Sequence, residues 1–218
     1  MNSRDNKLWL QLWRDKEIDF HQKYVNKFLA KFWPALDKTK HNRVFVPLCG
    51  KSLDMIWLAN QGYKVIGVEL SPIAVKAFFK ENRLKPTKKR KGNFTLWKHG
   101  NVSILCGDYF SLCKEDLGII TTVYDRAALT ALPEDIRQPY VEHLQLIVPN
   151  NANIFLLTIE DQDELPTSAD NVDKEINKLY SDNYTIELAY AEIVLESNSQ
   201  TLTQIPTSYK VYRLSSRV

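Results

Sequence analysis

Apolar positions in the first forty residues recur at spacings of three and four: Trp9, Leu12 and Trp13, then Val25, Phe28, Leu29, Phe32 and Trp33. That period puts them on one face of each of two amphipathic helices, with Pro34 closing the second. The pattern then changes. Val44 to Leu48 is a short apolar run with two β-branched valines, and Ser52 opens a helical pattern through Leu53, Ile56 and Trp57 that stops at Gly62. This reads as strand, tight turn and helix. A second strand, Val65 to Glu69, is followed by Ser71-Pro72, an N-cap with proline in the first turn, and a helix through Ala74, Phe78 and Phe79.

Farther along, Phe94 to Trp97 and Val102 to Cys106 flank the turn His99-Gly100-Asn101, predicting a hairpin or a short strand leading into the third sheet strand. Ile119 to Tyr124 is a fourth strand. A helix from Pro133-Glu134-Asp135 runs through Val141, Leu144 and Ile147 to Pro149, a fifth strand covers Asn153 to Ile159, and Val172, Ile176 and Leu179 mark another helix. Tyr184 to Leu195 and Ser208 to Leu214 are strands joined by a polar loop with no helix between them, so they pair antiparallel. The order predicts an α/β, doubly wound, Rossmann-like fold: a seven-stranded, mostly parallel sheet with helices on both faces and an antiparallel C-terminal hairpin. Among such folds it points to the class I methyltransferase architecture. No internal repeat divides the chain, so residues 1–218 are expected to form a single domain, with 1–40 an N-terminal helical segment covering the active site.

Composition narrows the function. The seven glycines (50, 62, 67, 92, 100, 107, 118) contain no G-x-G, which excludes the ordinary dinucleotide fingerprint and the P-loop. A net charge of +3 argues against both a strongly basic nucleic-acid binder and an acidic tail. The basic run Lys85 to Lys91, upstream of Phe94 and Trp97, reads as a solvated loop rather than an RNA-binding patch. Three cysteines without a C-x-x-C pair favour a reducing compartment, and the charged N-terminus and the lack of about 18 consecutive apolar residues leave no signal peptide or membrane span. A cytoplasmic protein with no nucleic-acid or membrane partner is expected, and nothing demands more than a monomer.

In an open α/β sheet the ligand lies at the carboxyl ends of the strands, so the residues after each strand are the candidates. Pro47 to Ser52 follows the first strand, and only Gly50 there easily takes a positive φ. Glu69 ends the second strand, where a carboxylate accepts hydrogen bonds from both hydroxyls of a ribose. A ribose-binding acid without a pyrophosphate loop suggests S-adenosylmethionine. Asp108 follows the third strand as either an adenine contact or a turn aspartate. Asp125 and Arg126 follow the fourth. The guanidinium can hold a carboxylate or stabilise a thiolate, and the competing reading is an Asp125–Arg126 pair capping the next helix. His21 is a candidate base, although a lone histidine beside aromatics is more often structural. The four histidines are dispersed and no metal cluster is indicated.

Three stretches carry a family resemblance: LWLQLWRDKEIDFHQ, RVFVPLCGKSLDMIWLANQGYKVIGVELSPIAVKAFF and VYDRAALTALP. Over nearly its whole length the chain resembles the thiopurine S-methyltransferases, especially the shorter bacterial members. The resemblance implies that Trp13 and Trp9 close over the cofactor, that Leu48 contacts it from the first turn, and that Glu69 holds its ribose. It further implies that Asp108 and Tyr109 line the adenine pocket, that Arg126 lies beside both cofactor and nucleophile as the catalytic residue, and that Phe20 meets the acceptor. The implied acceptor is a small-molecule thiol. Thiocyanate, halide, and selenium or tellurium anions form the alternative class, and a methyltransferase-fold RNA-binding module is the reading outside enzymes. One departure stands near the C-terminus: Glu196 to Thr203 occupies the place of a basic, tryptophan-containing segment that carries a substrate-site arginine in the family.

Overall fold

Short β-branched runs too apolar to face water on either side make the centre of the sheet. The computed structural model describes residues 3–17, 21–36, 42–161, 168–197 and 204–217. In it β1 (Arg43–Val46) pairs in parallel with β2 (Lys64–Glu69) on one side and with β6 (Thr122–Arg126) on the other. The remaining strands are β3 (Thr87–Lys91), β4 (Phe94–His99), β5 (Val102–Cys106), β7 (Asn153–Asp161), β8 (Tyr184–Ser197) and β9 (Gln204–Ser216). Their order is β3-β4-β5-β2-β1-β6-β7-β9-β8. The chain starts at the centre, winds outward to β5, returns past β1 to β6 and β7, and ends in the antiparallel hairpin β8–β9, with β9 inserted against β7. The strand order therefore reverses at β1, where such a sheet opens a crevice at its carboxyl edge.

Two expectations need correction. The sheet has nine described strands rather than seven, because Phe94–His99 is a full sheet strand and the basic run beside it is an edge strand and not a loop. β3 pairs antiparallel with β4, and β4 in turn with β5. Its exposed lysines and arginine suit an edge strand, where charge discourages pairing with another chain, and the Lys88 ammonium lies 3.8 Å from the Trp97 ring centroid. Pro34 does not close the second helix but sits inside its last turn. The helix tolerates the lost hydrogen bond because Phe28, Leu29 and Trp33 are buried against the sheet.

The helices are α1 (Ser3–Asp15), α2 (Lys27–Leu36), α3 (Asp54–Asn60), α4 (Pro72–Glu81), α5 (Lys114–Leu117), α6 (Ala128–Ala131), α7 (Glu134–Ile147) and α8 (Ser168–Tyr180). Alternate strand residues feed two cores, one on each face. Val44 and Val46 pack with α2, α3 and α4, while Phe45 packs with the cluster that includes Val141 and Leu144 of α7 and Ile176 of α8. Trp33 meets Tyr63 and Tyr124 edge-on, with ring centroids 5.6 and 6.0 Å apart, and so fastens the N-terminal segment to the sheet. None of the described helices is long and apolar enough to cross a membrane.

Gly67 shows how closely the first turn packs on β2. A Cβ built there would stand 2.6 Å from Cys49 Sγ and 3.1 Å from Met55 Sδ. Gly67→Ala is therefore expected to destabilise the protein by about 1–3 kcal/mol through overpacking, read as a lowered midpoint in urea denaturation.

Candidate active site

The crevice forms at the carboxyl ends of β1, β2, β5 and β6, with α1 across its mouth. Trp9, Trp13, Leu48, Glu69, Asp108, Tyr109 and Arg126 all line it, together with Asn6, His21 and Lys51. Of the residues expected at the site, only Phe20 lies outside the described residues.

Two tight turns shape the floor. After β1 the chain turns back at once: Cys49 N–H donates to Val68 O at 2.9 Å and Ser52 N–H to Cys49 O at 3.1 Å. This needs left-handed backbone at Gly50 (φ 53°) and also at Leu48 (φ 45°), so Gly50 is not alone in taking a positive φ. After β6, Ala127 adopts φ 56° while its N–H donates to Leu157 O at 2.7 Å. Non-glycine residues in this region are strained, and here two of them face the same cavity. Trp13, 5% exposed, roofs the first turn, its ring 3.4 Å from where a Gly50 Cβ would stand.

Glu69 is fixed from both sides. Gly50 N–H donates to Oε2 at 2.9 Å and Ser71 N–H to Oε1 at 2.6 Å, which leaves the second lone pair of each oxygen for a ligand. Burial raises its pKa to about 7, against the backbone hydrogen bonds that favour the charged form. Burial likewise holds the neighbouring Cys49 thiol well above its ordinary value. It is a small buried side chain, not a nucleophile.

Asp108 and Tyr109 serve the wall differently than a direct contact would. Asp108 Oδ1 accepts from Phe110 N–H at 3.1 Å, the local turn role, and Oδ2 accepts from Asn6 Nδ2 at 3.0 Å. The other end of that amide, Asn6 Oδ1, is buried with no hydrogen-bond partner. The Tyr109 hydroxyl donates to Tyr140 O at 3.0 Å, and its ring packs against Tyr140 and His143, so the hydroxyl is committed within the protein.

Asp125 and Arg126 do not pair with each other. Asp125 accepts from Ala128 N–H at 3.0 Å and from the Tyr140 hydroxyl at 2.7 Å, a buried structural acid whose pKa burial pushes up to about 6. Arg126 instead sets its Nε 3.2 Å from Asp54 Oδ2. Asp54 is 2% exposed and also accepts from Asn26 N–H at 2.8 Å and from the Tyr124 hydroxyl at 2.9 Å. Sequence reasoning missed Asp54 and Asn6. The available signal for Asp54 was an acid opening the helix after β1, beside the strand that carries Arg126. Nothing in the local pattern singled out Asn6.

A nucleoside bearing a sulfonium fits this cavity better than a nucleotide does. Lys51, the lysine on the first turn, places its ammonium 2.9 Å from Glu81. The turn offers a carboxylate where a phosphate would be repelled, and the orphaned Asn6 oxygen lacks a donor such as an exocyclic amine supplies. Among the described residues no cluster of His, Cys, Asp and Glu can hold a metal ion.

The comparisons agree. Residues 4–217 match the family model described as thiopurine S-methyltransferase. A protein of Stutzerimonas stutzeri (strain A1501) named thiopurine S-methyltransferase is 53% identical over 219 residues, covering 100% of this chain and 93% of its own length. One of the same name from Methylococcus capsulatus is 43% identical over 199 residues, covering 90% of each. Among solved structures, a Burkholderia thailandensis 1,6-didemethyltoxoflavin-N1-methyltransferase with bound S-adenosylhomocysteine superposes with a TM-score of 0.62 at 11% identity, covering 96% of this chain and 87% of its own. A methyltransferase from Anabaena variabilis gives 0.58 at 15% identity, covering 98% and 96%. These two likenesses show the class I methyltransferase fold. With a family match across nearly every residue and relatives this similar over nine-tenths or more of their length, the chain belongs to the thiopurine S-methyltransferase family.

Proposed function

We propose that the chain transfers the methyl group of S-adenosylmethionine to the sulfur of a small aromatic or heterocyclic thiol, such as a thiopurine. The observation that carries this reading is the pairing of a doubly anchored Glu69 with Arg126 across a crevice that has no phosphate cradle. When bound, the donor supplies a methyl group already activated by positive sulfur, so the protein has to align, hold and exclude water. Glu69 accepts the ribose hydroxyls. Asn6, held by Asp108, offers its free oxygen to the adenine amine, while Leu48 and the Tyr109 ring bracket the base and Trp13 and Trp9 cover the site from α1. Arg126, fixed by Asp54, stands between donor and acceptor, where its guanidinium favours the thiolate form of the nucleophile. All three cysteines are free, which suits a reducing cytoplasm.

Selenium, tellurium and thiocyanate anions are a chemically adjacent acceptor class, but no observation favours them over a thiol. Relative turnover on an aromatic thiol, thiocyanate and selenite measures the preference, and the thiol is expected to lead.

Glu69→Ala is expected to weaken S-adenosylhomocysteine binding by about tenfold or more, consistent with hydrogen bonds to a charged group worth ~1.5–3 kcal/mol each. Calorimetry checks this, and unchanged binding would remove the ribose role. Arg126→Ala should instead lower kcat by about tenfold or more with a smaller effect on the donor's KM, measured in steady state.

The pH dependence has a definite sign. Glu69 binds its proton more tightly in the ligand-free fold (pKa about 7) than an ordinary carboxylate does (4.5), so ionising it costs folding stability as pH rises through that window. Two donating hydroxyls favour the ionised form and offset that cost. Affinity for S-adenosylhomocysteine should therefore tighten as pH rises from 6 to 8, with a limit of tenfold per unit below pH 7, and Glu69→Gln should flatten the dependence.

A further inference from the structure

A second cavity opens between the segment His21–Phe28 and the hairpin strands β8 and β9. Its walls include Tyr24, Phe28, Val194, Glu196 and Tyr209, and among the described residues His21 is the one that it shares with the donor crevice. Phe28 and Tyr209 are almost fully buried and give it an apolar floor suited to a flat ring, while the Tyr209 hydroxyl donates to Glu196 at its rim. His21 thus stands at the boundary between the two cavities.

The ring of His21 is free to act. His99 Nδ1 lies 2.9 Å from Lys85 O and His143 Nε2 lies 3.1 Å from Tyr109 O, so each is tied to a backbone carbonyl. Among the described residues no such partner holds His21. The charged groups around it are Lys51 on the first turn, Arg126 at the end of β6, Asp54 on α3 and Glu81 on α4. Burial first, then Lys51 and Arg126, lower its pKa against the opposing effect of Glu81 and Asp54, which keeps the imidazole unprotonated near pH 7 with a nitrogen lone pair open to a proton. Arg126 alone does not answer the need for a base: a guanidinium cannot accept a proton, and its charge is already shared with Asp54.

Resting on the thiol reading above, we propose that the cavity under His21 is the acceptor subsite for an aryl or alkyl thiol and that His21 is the general base that takes the thiol proton. The thiol S–H bond breaks with its proton passing to an imidazole nitrogen. A sulfur electron pair forms the new S–CH3 bond in line with the departing sulfonium. The old C–S bond breaks with its pair staying on the donor, which becomes a neutral thioether. His21 then releases the proton to solvent through the open side of the cavity.

The test compares two acceptors in the wild type and His21→Gln: an alkyl thiol, protonated at pH 7, and a nitro-substituted aryl thiol, already a thiolate. Positioned bases contribute about 10²–10⁴ in rate. The variant should therefore lose about a hundredfold or more in kcat on the alkyl thiol but under fivefold on the aryl thiolate, and raising the pH should rescue the first reaction. A readout apart from turnover is the thiolate absorbance of the nitro-substituted thiol bound beside S-adenosylhomocysteine, which should persist to lower pH in the wild type than in the variant. Equal losses on both acceptors, or no loss on either, overturn the base assignment. Calorimetry with S-adenosylhomocysteine establishes that the variant folds. A wild type that binds this ligand yet methylates neither thiol overturns the thiol reading itself, and with it the role of His21.

Discussion

The site depends on one buried carboxylate. Asp54, 2% exposed at the start of α3, receives the Asn26 N–H, the Tyr124 hydroxyl and the Arg126 guanidinium. Each partner belongs to a different part of the chain: the N-terminal segment, the middle of β6 and the end of β6. Asn26 is in turn the cap of α2, its Oδ1 accepting from Phe28 N–H at 2.9 Å and Leu29 N–H at 3.3 Å. Removing the carboxylate would leave three donors without an acceptor, and removing Arg126 would leave a buried charge with only neutral donors around it. Fixing the acid therefore fixes the height of Arg126 in the crevice and ties the segment carrying His21 to the sheet.

A second constraint comes from the backbone. Leu48 and Ala127 hold left-handed conformations in the two turns that flank the crevice, and both turns are braced by hydrogen bonds to neighbouring strands. Glu69 contributes to the brace, since its carboxylate accepts the Gly50 N–H. The residue proposed to meet the ribose thus also holds the turn beside it, so on that reading strain and recognition share the same atoms.

Much of this was legible beforehand because central parallel strands are written as short apolar runs and their last residues mark the ligand edge. Glu69 and Arg126 follow from that rule, whereas Leu48 was singled out only by the family resemblance. The edge strand Thr87–Lys91 did not, because an exposed charged run carries no period that distinguishes a strand from a loop, and only its partner β4 holds it straight. Long-range polar contacts were equally hidden. Asn6 and Asp108 are 102 residues apart, and nothing near either one announces the other. Asp125 and Arg126 looked like partners because they are adjacent, yet successive strand residues point to opposite faces and each found a mate elsewhere.

The balance of charge in the crevice follows from the same pairings. Transfer of a methyl group from a sulfonium to a thiolate joins a cation and an anion into two neutral products, a change that a dry, low-dielectric pocket favours over water. An unpaired guanidinium would attract the thiolate but repel the incoming sulfonium at short range. With Asp54 at 3.2 Å, Arg126 keeps its N–H donors while its net charge on the donor side is largely offset. On the proposed reading, the acid that organises the architecture also lets one cationic side chain stand between two oppositely charged ligands, so its loss should disturb donor and acceptor together rather than either alone.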